Sequence, residues 1–340
     1  MDNLPNVSII IPTLNESNHI LECLLSISRQ DFDHSLITVF IVDGGSVDST
    51  LNLIKEYQST FAIKILQNPK VKQNFGFNSA LDHVQSKYVM RFDGHATISS
   101  NYLSTCVSLL EDNFQIGAVG GIMKTVPSSA SLISKSISVV LSSRFGVGNS
   151  KFRTSVEGNA TNFIDVDTVP FSLYRTSAIK SLGGYDLRLH NSEDIDLNRR
   201  LVLMNYRVVM HSDILSFYYS RSTFSSFIIQ SFRNGFWSIY PILIGIKSSF
   251  SIRHFIPFFF VTYLFITFFS VPNLLLLFPL FLYVFILSIY SINSFLIFKN
   301  FGLTFLIFLT YPMLHISYGL GSISAIPLFL YRWLFKYEFY

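Results

Sequence analysis

Short apolar runs alternate with amphipathic segments through the first third of the chain. Four runs are rich in β-branched or aromatic residues and apolar on both faces, as buried parallel strands tend to be: 7–12, 38–43, 62–66 and 88–93. Between them, apolar residues recur at helical spacing after Ser17 and again after Asp48. This alternation of strand and helix predicts a doubly wound α/β sheet.

The next region, 117–215, has a more mixed pattern. Apolar runs at 118–123 and 170–175 predict two further strands, and a short helix is expected to end at Gly183-Gly184. The Ser-rich stretch 128–143 is expected to form a mobile loop or a surface helix.

The last 90 residues are apolar: positions 251–340 hold 18 of the 35 Phe residues and only five charged residues. We expect a membrane region over 241–340 with about three spans, at 254–271, 273–292 and 301–322, since each is about long enough to cross a ~30 Å hydrocarbon layer. The apolar pattern runs on to 331, interrupted by Gly319, Gly321 and Pro327, so an interfacial segment is expected after the third span.

The remaining residues, 1–240, are expected to form a globular part with halves at 1–115 and 116–240. The apolar tail predicts a multi-pass protein of the cell membrane. The N-terminus lacks the basic region of a signal peptide, so the globular part is expected to stay on the cytoplasmic face. The charges of this part nearly balance and form no basic stripe, which argues against nucleic-acid binding. Cys23 and Cys106 lie on apolar helix faces, and we expect buried free thiols rather than a disulfide.

Polar clusters directly follow three of the predicted strands. They comprise residues 12–16, 43–46 and 93–95. The carboxyl ends of strands in an open α/β sheet are where ligands bind, so we expect all three clusters to meet along one rim and form a nucleotide site. For Asp43 the alternative is a turn-forming role before two glycines.

Asp93 and His95 flank Gly94 and are the clearest candidate metal ligands. Side chains two apart on an extended segment point the same way, and Mg²⁺ or Mn²⁺ held there would bridge phosphate oxygens. The alternative is that Asp93 caps the turn and His95 is a surface residue.

The segment 191–201 predicts the start of a helix with Glu193 and Asp194 at its N-terminus. Helix capping explains acidic residues there, because negative charge is favoured at that end. The functional alternative is a general base that deprotonates an acceptor hydroxyl.

Gln230, Arg233 and Trp237 recur at spacings of three and four, on one face of a predicted helix just before the apolar tail. Anchoring at a membrane interface would explain Arg233 and Trp237. Otherwise Arg233 would contact phosphate and Trp237 would pack on an acceptor sugar.

Five segments, in this order and at these spacings, resemble glycosyltransferase family 2, an inverting family with the GT-A fold: VSIIIPTLNES, IVDGGSVDST, MRFDGHATI, SEDIDLNRRL and QSFRNGFW. Residues 218–221, His315 and Tyr318-Gly319 further resemble membrane-bound bacterial members that build exopolysaccharide, such as succinoglycan glucosyltransferases.

The resemblance implies a role for each matched position. The nucleotide pocket would be lined by Pro12, Thr13, Asn15 and Glu16, with Asp43 on the nucleobase and Asn78 on the donor side. Asp93 and His95 stand where the family has Asp-x-Asp, and Asp194 matches the catalytic base. Gln230, Arg233 and Trp237 match the element that contacts acceptor and diphosphate.

Two departures from the family pattern affect the expected chemistry. His95 replaces the second Asp and is a softer ligand, which leaves Mg²⁺ and Mn²⁺ both open. Phe77 occupies the place of a usual basic residue, so Lys72 is expected to supply the phosphate contact.

We therefore expect a hexosyltransferase that moves sugar from a UDP- or GDP-linked donor to a lipid-linked saccharide or polyprenyl phosphate, in polysaccharide or glycolipid biosynthesis. One rival is a sugar nucleotidyltransferase, which would need a Gly-rich, basic loop after the first strand. The other is a membrane component that binds sugar nucleotide without catalysis.

Overall fold

The computed structural model describes residues 6–154, 163–246, 252–271 and 273–334. Their strands are β1 Val7–Thr13, β2 Ile37–Asp43, β3 Ala62–Gln67, β4 Tyr88–Arg91, β5 Ala96–Ile98, β6 Ile116–Val126, β7 Phe163–Asp165, β8 Leu173–Arg175 and β9 Arg207–Tyr219. Their α-helices are α1 Ile20–Ser28, α2 Thr50–Glu56, α3 Gln73–Leu81, α4 Tyr102–Asp112, α5 Leu132–Leu141, α6 Arg144–Val147, α7 Lys151–Thr154, α8 Thr176–Ser181, α9 Glu193–Leu203, α10 Phe224–Leu243, α11 Ile256–Phe269, α12 Leu274–Phe298 and α13 Phe301–Leu334.

The contacts divide the chain into two units. The first unit is Met1–Lys124 with Ser155–Tyr218, and the second is Thr125–Thr154 with Tyr219–Tyr340. Helices α5 and α10 pack against α13 and belong to the second unit, whereas the expected boundary at 240 assigned them to the globular part.

The first unit is built on a mixed sheet. Its strand order is β3-β2-β1-β4-β8-β6-β9-β5, and β7 pairs with β9. β1 is parallel to β2 and β4, whereas β8 is antiparallel to β4 and β6. The register pairs Val7 with Ile37 and Thr13 with Asp43, so β1 and β2 end side by side. The parallel arrangement of β1, β2 and β4 is as the sequence predicts, and β1 and β2 end within one residue of the expected positions.

β3 corrects one expectation, since it is not buried on both faces. It forms the edge of the sheet, and four of its six residues, including Lys64 and Gln67, are exposed. Both polar side chains suit an edge position. β4 is also shorter than expected and ends at Arg91, which leaves Asp93 and His95 on the turn that follows.

In the second unit the Ser-rich stretch forms α5, which is neither a mobile loop nor a surface helix. Ser134, Ser136 and Ser138 are buried, and the Ser136 Oγ lies 3.1 Å from the Oγ1 of Thr310 on α13. Buried serines are tolerated because their hydroxyls find partners; that of Ser138 donates to the carbonyl of Thr125 at 2.7 Å. Small side chains let α5 pack closely on α13.

Glycines bring α10 against α13. A Cβ atom added to Gly235 would overlap the carbonyl oxygen of Tyr318, and one added to Gly321 would overlap that of Phe232. The Ser322 Oγ donates to the Gly235 carbonyl at 3.0 Å across this crossing. The segment QSFRNGFW is therefore part of the helix packing of the second unit.

Two of the described helices are long and apolar enough to cross a membrane: Leu274–Phe298, with mean hydropathy 2.4, and Phe301–Tyr331, with mean hydropathy 1.4. Helix α11 has 14 residues, about 21 Å of helix, which is shorter than a ~30 Å hydrocarbon layer. The structure thus supports two of the three expected spans by length. Gly319, Gly321 and Pro327 lie within helix α13 and do not end it.

Candidate active site

The loops that follow β1 and β2 interlock. The Asn15 backbone N–H donates to Ser46 Oγ at 2.9 Å, and the Asn15 Oδ1 accepts from the backbone N–H of Val47 at 2.9 Å. Next to them, the Gly44 N–H donates to the carbonyl of Thr13 at 2.8 Å. The first two polar clusters therefore meet at one rim, as their position after adjacent parallel strands predicts.

Asp43 holds the turn after β2. Its side chain is 1% exposed and accepts hydrogen bonds from the backbone N–H of Gly45 at 2.9 Å and from the Ser46 hydroxyl at 2.6 Å. The turn-forming alternative is thus present in the structure, and Gly45, with φ 91°, supplies the left-handed residue of the turn. Contact between Asp43 and a nucleobase stays a prediction.

The third cluster joins the rim through Glu16 and His95. The Nδ1 of His95 lies 2.8 Å from the Oε1 of Glu16. The Glu16 N–H donates to the Thr50 hydroxyl at 2.8 Å, which fixes the backbone of the residue. A Cβ atom on Gly94 would lie 3.2 Å from the Glu16 Cγ, so a glycine allows this close approach. Glu16 therefore faces the predicted metal ligand His95.

Arg91, the last residue of β4, was missed by the sequence analysis. Its Nη2 lies 2.7 Å from the Oδ1 of Asp93 and also donates to the Gln73 Oε1 at 2.5 Å, while its Nε is buried and has no hydrogen-bond partner among the described residues. Burial acts to lower the pKa of Arg91, but the charge of Asp93, supported by Glu193 and Asp194, outweighs it and raises the pKa. A charged residue closing an otherwise apolar strand was the signal that could have found it.

Glu193 and Asp194 begin α9, as predicted. Glu193 is 6% exposed and Asp194 is half-buried. Burial raises the pKa of Glu193 to about 7 and also raises that of Asp194, and in each case the positive charge of Arg91 opposes the rise. The positive charge of Arg91, at the end of β4, thus acts on the carboxylates of Asp93, Glu193 and Asp194. A half-buried carboxylate with a raised pKa can accept a proton from a hydroxyl near neutral pH.

Lys72 and Asn78, which are predicted to bind the nucleotide-sugar donor, lie in different environments around α3. Lys72 is exposed immediately before α3, where its backbone carbonyl accepts from the Asn68 Nδ2 at 2.9 Å. Asn78 instead binds the backbone of Tyr185 with both ends of its amide, at 2.8 and 2.9 Å. The side chain of Asn78 is committed to this loop, and its contact with a donor stays a prediction.

The chain matches Glycosyl transferase family 2 over residues 8–183, more than half of its length. The chain belongs to this family. A protein of Methanococcus voltae, named as a dolichyl N-acetyl-α-D-glucosaminyl phosphate 3-β-D-2,3-diacetamido-2,3-dideoxy-β-D-glucuronosyltransferase, is 30% identical over 67% of this chain and 71% of its own. Succinoglycan biosynthesis protein ExoA of Rhizobium meliloti is 31% identical over 69% of this chain and 70% of its own.

Solved structures of other transferases have the same fold as this chain. A mannosyltransferase of Pyrobaculum calidifontis in complex with GDP-Man and Mn²⁺ aligns with a TM-score of 0.58 and 15% identity, over 96% of this chain and 88% of that one. S. aureus TarS 1–349 in complex with UDP-GlcNAc aligns with a TM-score of 0.52 and 16% identity, over 98% of this chain and 93% of that one. The protein is a glycosyltransferase with a GT-A fold, as the five segments predict.

Divalent metal is typical of this fold, and the described residues could hold an ion only together with a bound ligand. The described residues contain no group of three His, Cys, Asp or Glu side chains that could hold an ion. Asp93 offers an oxygen and His95 a nitrogen, and the carboxylate of Glu16 on the His95 Nδ1 resembles the support that ligating histidines commonly have. These residues fit an ion whose other ligands are diphosphate oxygens.

The predicted acceptor element of the transferase lies on α10, in the second unit. Arg233 is exposed, and the half-buried Trp237 ring packs at 5.5 Å from the rings of Phe236 and Tyr240. With Gln230 they occupy one face of the helix, and their contact with acceptor or diphosphate stays a prediction.

Proposed function

We propose that this transferase moves a sugar, with inversion, from a UDP- or GDP-linked donor to a lipid-linked saccharide or polyprenyl phosphate, in the synthesis of a polysaccharide or glycolipid. The observation that carries the proposal is the group of carboxylates around Arg91. Asp93, Glu193 and Asp194 all interact with this cation at the end of β4, on the rim where the loops after β1 and β2 interlock.

The donor class is supported by structures with the same fold. TarS 1–349 was solved with UDP-GlcNAc, and the Pyrobaculum mannosyltransferase was solved with GDP-Man and Mn²⁺. In this chain Asp93 and His95 would hold a divalent cation, Mg²⁺ or Mn²⁺, together with the diphosphate. The bound cation would stabilise the negative charge of the leaving nucleoside diphosphate.

The acceptor class is supported by the relatives and by the apolar helices. One relative is named for a dolichyl-linked phosphate and another for succinoglycan biosynthesis. Helices α12 and α13 are long and apolar enough to span a membrane, where lipid-linked acceptors reside. We propose that the transferase is a multi-pass protein of the cell membrane with its first unit on the cytoplasmic face, and the two apolar helices support the membrane part of this proposal.

In the proposed reaction the carboxylate of Asp194 takes the proton of the acceptor hydroxyl. The hydroxyl oxygen forms a bond to the anomeric carbon on the side opposite to the diphosphate, whose bond to that carbon breaks. The raised pKa of Glu193, about 7, leaves this carboxyl partly protonated near neutral pH, which limits the negative charge beside Asp194. Arg91 offsets the remaining negative charge.

The test combines a screen of nucleotide sugars with two matched variants. Purified membranes carrying the full chain are assayed for release of UDP or GDP with lipid-linked acceptors present. Asp194→Asn should lower transfer by about 10²–10⁴-fold, since a general base contributes that much, while donor binding stays near parental. Glu193→Gln is the matched variant and should retain far more activity.

Transfer at the parental rate by folded Asp194→Asn would contradict the assignment of the base and favour helix capping. If the two phenotypes are exchanged, Glu193 is the base. The same assay separates the rival functions. A nucleotidyltransferase would form nucleotide sugar from sugar phosphate, and a non-catalytic component would bind donor without releasing nucleotide.

A further inference from the structure

The loop that joins α8 to α9, residues 182–192, leads directly to the predicted base. We call it the connecting loop. It ends at Ser192, whose φ of 65° turns the chain into α9, and the next two residues are Glu193 and Asp194. The position of the Asp194 carboxylate therefore depends on how this loop is held.

Helix α3 holds the connecting loop through two asparagines one turn apart. The Nδ2 of Asn74 donates to the carbonyls of Leu187 and Leu189 at 3.1 and 2.6 Å. The Nδ2 of Asn78 donates to the carbonyl of Tyr185 at 2.8 Å, and its Oδ1 accepts from the Tyr185 N–H at 2.9 Å. Asn74 is 1% exposed, so its amide is directed inward to the loop.

The helix and the loop are also matched in shape. The ring of Phe77 lies 4.4 Å from that of Tyr185, centroid to centroid. Gly184 has φ 72°, and a Cβ atom there would overlap the Oδ1 of Asn78. A glycine is needed at this point both for the backbone conformation and for the approach of Asn78.

Arg200 of α9 holds the other side of the connecting loop. Its Nη1 and Nη2 donate to the carbonyls of Leu182 and Gly184 at 2.9 and 2.8 Å, and its Nε donates to the Asp196 Oδ2 at 2.7 Å. Six carbonyls of the loop accept hydrogen bonds from these side chains, if the long bond of 3.5 Å from Asn74 to Asp186 is counted. Buried backbone groups need such partners, so these side chains help to fix the conformation of the loop.

The same helix α3 reaches the rim of the site. Gln73, its first residue, accepts a hydrogen bond from Arg91, which is paired with Asp93. Helix α3 therefore contacts both Arg91 and the connecting loop that leads to Asp194. A displacement of about 1 Å between groups that act together can cost 10²-fold in rate.

We propose that Asn78, together with Asn74, is a positioning residue that acts through the connecting loop on Asp194, and that it does not bind the donor. This rests on the proposed function, in which Asp194 is the base. The residue type fits the role, because a side-chain amide can both donate to the carbonyl and accept from the N–H of one residue, here Tyr185.

The experiment measures kcat, the KM of donor and acceptor, and the dissociation constant of UDP or GDP, for the full chain in membranes or detergent. Asn78→Asp keeps the size and the acceptor atom but loses the donor to Tyr185, and Asn78→Ala loses both. Ser79→Ala, on the exposed face of α3, is the matched control. We expect kcat to fall by about 10–100-fold in both Asn78 variants, with nucleotide affinity within about 2-fold of the parent.

A fall in nucleotide affinity of about tenfold or more with kcat unchanged would overturn the proposal and restore Asn78 to the donor site. Parental kinetics with only a lower melting temperature would also overturn it, because the role would then be structural. If Asn78→Ala does not fold, Asn78→Asp still tests the proposal.

A double variant separates this proposal from the assignment of the base. If Asn78 acts through Asp194, adding Asn78→Asp to Asp194→Asn should cost less than threefold further, since the group being positioned is already gone. A full additional loss would overturn the positioning role alone. Parental transfer by Asp194→Asn would instead overturn the proposed base.

Discussion

The Nη2 of Arg91 lies 2.7 Å from the Oδ1 of Asp93, and both side chains are 16% exposed. Such a pair is partly desolvated, so its attraction is weakly screened. It places a permanent positive charge among the acidic residues that the proposed reaction uses. Arg91 should therefore control both the charge state of these residues and the local stability.

Replacement of Arg91 tests this directly. Arg91→Met removes the charge that lowers the pKa values of Glu193 and Asp194, so both should rise, and the acid limb of the pH–rate profile should move to higher pH. The free energy of unfolding should fall by about 3 kcal/mol, because Asp93 is left without its partner. Arg91→Lys, which keeps the charge, should show the smaller shift. A pH–rate profile identical to the parent in Arg91→Met would contradict this role.

Removal of divalent metal should abolish donor binding. Asp93 and His95 supply only two ligands, so the ion and the diphosphate are expected to bind together. Titration calorimetry of UDP or GDP with Mn²⁺, with Mg²⁺ and with EDTA measures the effect. His95→Ala should change which metal is preferred. Glu16→Gln, which removes the carboxylate beside His95, should shift the metal preference in the same direction to a smaller extent. Full affinity in EDTA would show that the ion has no part in binding.

The raised pKa of Glu193 should make the free energy of unfolding fall as pH rises. Its ordinary pKa of 4.5 is raised to about 7 in the folded state, first of all by burial. Between these values the folded state holds the proton more tightly than the unfolded chain, so the free energy of unfolding falls with rising pH, by about 3 kcal/mol in total.

Thermal unfolding from pH 4.5 to 7.5 measures this slope. Glu193→Gln cannot ionise, and its stability should change less over the same range, while differences from other groups remain in both proteins. Parallel curves for parent and variant would show that the Glu193 pKa is not raised.

Gly235→Ala should separate α10 from α13. The added methyl group would overlap the carbonyl oxygen of Tyr318, which belongs to the backbone and cannot rotate away. Overpacking of this kind costs about 1–3 kcal/mol. Melting of the detergent-solubilised protein measures the loss, and Ser225→Ala, at an exposed position of α10, is the control. An unchanged melting temperature would mean that the two helices do not pack in this way.

The protein should stay in the membrane pellet after an alkaline carbonate wash. Large apolar side chains are exposed on α11 and α12, for example Phe268 at 81% and Leu275 at 88%, and contact with lipid removes this surface from water. A truncated chain ending at 246 should lose this retention. Recovery of the full chain in the supernatant would argue against spanning helices.

The sequence by itself determined the parallel half of the sheet and the rim. Runs such as 7–12 and 38–43 are apolar on both faces, which requires burial between layers, and the polar residues that follow them then meet because parallel strands end on one side. The helix start at Glu193 was likewise predictable, because acidic residues favour that end of a helix. These features depend on residues that are near one another in the chain.

The tertiary structure alone decided which side chains act on each other. Asn78 and Tyr185 are 107 positions apart, and Glu16 and His95 are 79 apart, so no local pattern shows that they bind. Arg91 is one charge at the end of a strand until the fold brings α9 beside it. The serines of α5 suggested an exposed position. In the structure they are buried, because packing against α13 gives their hydroxyls partners. Local pattern determines where a residue can be placed, whereas burial, pairing and pKa follow from what the rest of the chain packs around it.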